Sequence, residues 1–208
     1  MDIPIVITKP TAPHTHTVVF LHGRGDRARN FAASLNYWRD SHNRTLVEIF
    51  PSFRWVFPQA PTRKCASLPD RWPQWFDVWN VEDFSDHEDL QAVGLKEVVP
   101  AVRGILETEA ELLGGHWDRI VLAGISMGGA TSLHTLFNLD VPVEAGRRLA
   151  AFMGFSCRLP FVGRSLSELR KTLGLEVPRT MMMSSATRLY FLSIAPMTRW
   201  FWSKEVGD

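Results

Sequence analysis

Cysteine is scarce, with two residues, Cys65 and Cys157, in a chain of 208. That excludes a disulfide scaffold and a structural zinc site built on thiolates. An excess of either charge is also missing: 23 Lys+Arg stand against 22 Asp+Glu, for a formal net charge of +1. Without a basic run there is no footprint for nucleic acid or an anionic membrane surface. No apolar stretch reaches the roughly 18 residues that a membrane span needs. The nearest, Leu189 to Met197, is too short, so stable membrane insertion is not expected. The amino terminus has no basic start leading into an apolar run, so no secretory signal is read and the expected location is cytoplasmic. The seven histidines are scattered rather than clustered, which speaks against a metal hydrolase; neither a metal nor a cofactor is expected. Aromatics, by contrast, are abundant, with 8 Trp and 13 Phe. The length suits a substantial core within one domain.

Along the chain, Val18-Val19-Phe20-Leu21 is apolar without alternation, as in a strand buried on both faces. Phe31, Leu35 and Trp38 follow at helical spacing, and Trp55-Val56-Phe57 reads as a short strand ahead of two prolines. The segment from Pro69 to Asn80 is dense in Trp, Pro and Asp and is expected to be a loop packed by its own aromatics. Ser85-Asp86-His87-Glu88 matches a capping box, which predicts a helix continuing through Leu90, Val93, Val98, Val102, Leu106 and Leu113. Pro100 interrupts that pattern, so a kink or two abutting helices are expected. Ile120-Val121-Leu122-Ala123 is a further buried strand, followed at once by an apolar helix through Leu133, Leu136 and Phe137. Ala150 to Phe155 is the fourth strand candidate. Strands alternating with helices predict an α/β fold with a mostly parallel sheet.

Chemistry concentrates at Gly124-Ile125-Ser126-Met127-Gly128, a G-x-S-x-G motif extended by Gly129. A serine between strand and helix must take a strained turn, and flanking glycines remove the side chains that would clash there. The turn lifts the hydroxyl clear of the sheet and sets the N–H of Met127 at a helix N-terminus, where an oxyanion can rest. His22-Gly23-Arg24-Gly25-Asp26 ends the first buried strand, where an N–H near Arg24 can serve as a second oxyanion donor. The same stretch also reads as a tight glycine turn. Its G-x-G lacks the third glycine of a dinucleotide loop, so nucleotide binding is a weak reading.

These motifs occur in the same order as in acyl-protein thioesterases and related carboxylesterases. Together with Phe57-Pro58-Gln59-Ala60-Pro61 and Trp75-Phe76-Asp77, they make the chain resemble the phospholipase/carboxylesterase branch of the α/β-hydrolases over roughly residues 16 to 175. The resemblance implies a three-layer α/β-hydrolase fold. It also implies Ser126 as nucleophile, the N–H groups of Arg24 and Met127 as oxyanion hole, and His22 and Gly23 as supports of the oxyanion turn. An apolar acyl channel is implied on the loops carrying Trp75 and Phe76. Substrates would be acyl esters or thioesters, such as a palmitoylated protein or a lysophospholipid. Phe155-Ser156-Cys157-Arg158-Leu159-Pro160 looks like the family's segment after the next strand, with Cys157 where a glycine is usual.

The pattern then breaks. In this fold the acid and the histidine of the triad follow the serine in the chain. Only His134 does so, eight residues along the helix and about 12 Å from the hydroxyl, too far to act as base. Asp140, Glu144, Glu168, Glu176, Glu205 and Asp208 remain as acids, none in the family's context. The chain is therefore read as an α/β-hydrolase domain over 1–175, whose C-terminal strands are expected to be missing, and a divergent tail over 176–208. Met181-Met182-Met183 fixes its codons, which read two bases later begin with two aspartates. The codons of Ala195 to Phe201 permit Cys-Ala-Asp-Asp-Pro-Leu-Val in that frame, similar to the family's catalytic-aspartate loop. We hypothesise that the tail from about residue 180 is an out-of-frame translation, the alternative being a divergent tail packing as a helix or extra strand. Two functional readings follow: a serine hydrolase of the thioesterase/carboxylesterase type, inactive as this chain, or a catalytically dead chain of the same fold, either a truncated or mis-translated product or a binding partner. The nucleotide sequence is expected to open, in the other frame, into a histidine-bearing segment; a stop codon before one would refute the frameshift.

Overall fold

The apolar runs become strands at the middle of a sheet, because only a strand covered on both faces can bury consecutive large side chains. The computed structural model describes residues 1–139, 141 and 148–175, and the backbone of Arg188–Leu192. Its main sheet contains β1 (Ile5–Thr8), β2 (His16–Leu21), β3 (Phe53–Pro58), β6 (Ile120–Ile125), β7 (Ala151–Phe155) and β8 (Arg188–Leu192). Their spatial order is β1-β3-β2-β6-β7-β8, antiparallel between β1 and β3 and parallel elsewhere. A small hairpin, β4 (Thr62–Lys64) with β5 (Arg71–Pro73), stands apart. The helices are α1 (Ala28–Ser34), the single turn α2 (Leu46–Ile49), α3 (Asp89–Leu112), α4 (Met127–Phe137) and α5 (Leu166–Leu173).

Alternate residues of β2 serve opposite cores. Val18 and Phe20 pack with Phe31 and Leu35 of the α1 side, whereas Val19 and Leu21 join Leu95, Val98, Val102 and Leu106 of α3 and Leu133 of α4. That is the expected three-layer arrangement. At the N-terminal ends of the strands, Glu109 of α3 is buried and accepts from Arg54 Nε at 2.8 Å and from Thr17 Oγ1 at 3.1 Å. One carboxylate thus ties α3 to both β2 and β3.

Several expectations need correction. The capping box at Ser85 does not form: Ser85 Oγ donates to Asp83, His87 takes a positive φ of 49°, and α3 begins at Asp89. Pro100 does not divide the helix. It lies on the exposed face of α3, where the Lys96 carbonyl deprived of its N–H partner can be hydrated, and the helix runs through it as one element. Residues 69–80 are not all loop, since Arg71–Pro73 pairs with Thr62–Lys64; three-residue strands leave too little pattern to read. The tail does supply a strand: β8 pairs with β7 in parallel, Met153 opposite Tyr190, and covers the edge that the sequence left open. The remaining tail, including Met181-Met182-Met183 and the reading of an out-of-frame segment, lies outside the described residues.

Because Glu109 is buried and Arg54 is only partly exposed, Glu109→Leu strands the Arg54 guanidinium. We expect a loss of about 3 kcal/mol in urea unfolding, moderated by the partial exposure of Arg54. A loss below about 1 kcal/mol would show that the pair is a bystander.

Candidate active site

In an open parallel sheet, ligand crevices form beyond the carboxyl ends of the strands where the strand order reverses. Here the chain moves from β2 outward to β3 and later returns to the other side of β2 with β6, so that point lies between β2 and β6. The register sets Leu21 opposite Gly124, which brings the turn after β2 beside the turn after β6. A Cβ built on Gly23 would lie 3.6 Å from Ser126 Cβ.

Ser126 is the N-cap of α4 at φ 53°, ψ −123°, a region that a non-glycine residue enters only under strain. It is held there by its N–H, which donates to the Phe155 carbonyl at 2.9 Å, and by Ala130, whose N–H donates to the Ser126 carbonyl at 3.1 Å. The side chain is exposed, and among the described residues its Oγ has no hydrogen-bond partner. The flanking glycines have a specific cause. A Cβ on Gly124 would collide with the Gly128 carbonyl, and one on Gly128 with the carbonyls of Leu21 and His22. A Cβ on Gly129 would sit 2.5 Å from Cys157 Cβ. Strand and helix touch through backbone, the helix meets the loop after β7 through the Cys157 side chain, and only glycine fits.

His22 is fully buried. Its Nε2 accepts from the Ala60 N–H at 3.1 Å and its Nδ1 faces the Gly23 carbonyl at 2.8 Å. Only a neutral ring with the proton on Nδ1 satisfies both, and burial accordingly lowers its pKa. Trp75 Nε1 donates to the His22 carbonyl at 2.8 Å. Arg24 is held through its side chain: Nε donates to Gln74 Oε1 at 2.8 Å, and the guanidinium lies 5.1 Å from the Trp72 ring. The Gly25 N–H donates to the Pro73 carbonyl, so the hairpin clamps the whole turn. Among the described residues, neither the Arg24 N–H nor the Met127 N–H has a backbone acceptor, and Met127 is the first residue of its helix.

A cavity of about 400 Å³ opens over Ser126 and Met127. Phe76, Val78, Val81, Phe84, Ala130 and Pro160 form its apolar wall, with Arg24, Gln91, Ser156, Cys157 and Arg158 as the polar or sulfur-bearing lining. Phe76 is on the cavity wall. Trp75 is not: it is completely buried behind the wall, where it holds the His22 carbonyl. Val78 lay within the segment read as an aromatic-packed loop, whereas Val81 and Phe84 carry no motif and escaped the sequence reading, as did Arg158, whose place after β7 was legible only as part of a segment.

No histidine among the described residues stands beside Ser126 apart from His22, which is committed to its two backbone partners. His134 is fully buried on α4, its ring 6.0 Å from Phe161. Among the described residues neither nitrogen reaches full hydrogen-bond geometry, and the Pro160 carbonyl faces the ring. His14 and His16 engage Thr17 and Phe53, and His42, His87 and His116 lie at the surface beside aspartates. Glu168 caps α5 through Ser165. Asp140, Glu144, Glu176, Glu205 and Asp208 lie outside the described residues.

The family model for phospholipase/carboxylesterase proteins matches residues 3–178. The chain belongs to this family. It is 32% identical over 179 residues to an acyl-protein thioesterase 1 of Schizosaccharomyces pombe, covering 83% of this chain and 69% of the relative. A second acyl-protein thioesterase 1, from Cryptococcus neoformans, is 29% identical over 152 residues, covering 73% of this chain and 58% of the relative. The chain thus spans roughly six to seven tenths of these family members. Among solved structures, Zea mays acyl-protein thioesterase 2 superposes with a TM-score of 0.57 at 23% identity, over 83% of this chain and 68% of that one. A Bacillus cereus carboxylesterase gives 0.53 at 13%, over 92% and 84%. These likenesses show the α/β-hydrolase fold.

The buried His134 carries a pH dependence of its own. Burial lowers its pKa from 6.5 to about 4, so the native state binds its proton later than the unfolded chain does. Its contribution is complete above pH 6.5 and is lost as pH falls from there toward 4, at about 1.4 kcal/mol per pH unit. Urea unfolding between pH 7 and 4 should show this slope in the native chain and a flatter one in His134→Leu; coincident slopes would assign the loss to other groups.

Proposed function

We propose that this chain carries the acyl-transfer site of a serine hydrolase for carboxylic esters or thioesters. The observation that supports this most is Ser126 itself, exposed at a strained φ on the strand–helix turn, at the floor of an apolar cavity. In this reading Ser126 Oγ attacks the acyl carbonyl, and the N–H groups of Met127 and Arg24 receive the oxyanion. The alcohol or thiol departs, the acyl group stays on Ser126 Oγ, and water then releases it as the carboxylic acid. His22, Gly23 and Trp75 hold the oxyanion turn, and Gly124, Gly128 and Gly129 let the backbones meet. Phe76 contributes to the wall that takes the acyl chain. The substrates we propose are a palmitoylated protein or a lysophospholipid, as the relatives' name suggests for the former. No helix among the described residues is long and apolar enough to cross a membrane, and a cytoplasmic location is part of the proposal.

A second reading is favoured by one specific observation: among the described residues no free base adjoins Ser126. Loss of triad members from such sites costs on the order of 10⁴–10⁶ in kcat. We therefore propose a 1–175 hydrolase domain that binds acyl compounds and turns them over close to background, with 176–208 as a tail distinct from the family's. Hydrolysis of p-nitrophenyl octanoate by the 208-residue chain and its Ser126→Ala variant tests both readings. Near-background rates, equal in the two, are expected. Turnover that vanishes with Ser126→Ala would establish an active enzyme with a base beyond the described residues.

A further inference from the structure

The cavity over Ser126 is apolar along most of its wall, yet the charged side chains among its lining are both arginines, Arg24 and Arg158. They are not equivalent. Arg24 is engaged through Gln74, Cys65 and Trp72 in holding the turn after β2. Arg158 is exposed, its guanidinium 4.9 Å from the Phe84 ring, and it makes no hydrogen bond to a described residue.

No carboxylate lines the cavity among the described residues. Two acids of the adjoining segment, Asp83 and Glu88, have partners of their own. Asp83, within Coulombic reach of Arg158, accepts from the N–H and Oγ of Ser85. Glu88 accepts from the Phe161 N–H and faces Arg164. The Phe84 face fixes one side of the Arg158 guanidinium while leaving its N–H fork for another acceptor. An anion entering beside the apolar wall would find a preset donor fork at the cavity mouth, and charge-assisted hydrogen bonds are roughly twice as strong as neutral ones.

We propose that Arg158 makes this an anion-selective acyl site, preferring amphiphiles that carry a carboxylate or phosphate over neutral ones of the same chain length. The inference rests on the reading of the cavity as an acyl site and names its ligand class. It does not require turnover, so it holds for an active or an inert chain.

Calorimetric titration of the 208-residue chain with octanoate and with neutral octanamide, at pH 8 and low salt, tests it. Octanoate should bind about tenfold more tightly, a difference that shrinks as salt is added. Arg158→Gln should bring the two affinities together, and Arg158→Lys should keep much of the preference. Equal affinities in the native chain, or a preference that survives Arg158→Gln, would overturn the assignment to Arg158 while leaving the acyl site standing. Failure of both ligands to bind would overturn the acyl-site reading together with the inference. Because Arg158 is exposed, all variants should melt with the native chain, and octanamide affinity serves as the internal control.

Discussion

Everything near the cavity depends on how closely the backbones of β2, β6 and α4 approach one another. Gly128 rests against the carbonyls of Leu21 and His22, and Gly124 against the first turn of α4. A methyl group at either position would push helix from strand, and the turn between them would relax. Ser126 keeps its positive φ because the glycines two residues to either side are clamped this way and its own N–H is tied to Phe155. Strain at one residue is thus maintained by Gly124, Gly128 and Phe155 around it. That is the usual condition under which an unfavourable φ persists.

A second constraint is the neutral His22. Its ring bridges the turn after β2 and the segment after β3, accepting from Ala60 and facing the Gly23 carbonyl. Trp75 closes the same carbonyl layer from the hairpin side, and Gln74 fixes Arg24. The aromatic and amide side chains that look from the sequence like cavity lining divide, in space, into a supporting layer and a wall. Trp75 and Gln74 support; Phe76, with Val78 and Phe84, forms the wall. The polarity of the cavity then comes from its two arginines, Gln91, Ser126 and Ser156, against an otherwise apolar wall.

Much of this was legible in the linear order of residues. Unbroken apolar runs at Val18 to Leu21 and Ile120 to Ala123 marked the central strands, because only a doubly covered strand tolerates them. The glycine spacing about Ser126 marked the elbow for the same steric reason. Less was legible where the signal is short or depends on partners. The three-residue hairpin strands lack periodicity, β1 with Ile5 and Ile7 half-exposed lies at an edge, and the capping box at Ser85 lost to a local bond with Asp83.

The sequence by itself determined the layer order, the position of Ser126 between strand and helix, and the absence of a histidine placed after it in the family's manner, since these follow from local pattern and chain order. Tertiary structure alone decided which aromatics line the cavity, that Pro100 could stay within one helix, and that Arg158 rather than Arg24 presents its charge at the mouth. Those outcomes depend on which distant residues meet a given side chain, as Gln74 meets Arg24 and Phe84 meets Arg158. Spacing along the chain carries no record of such meetings.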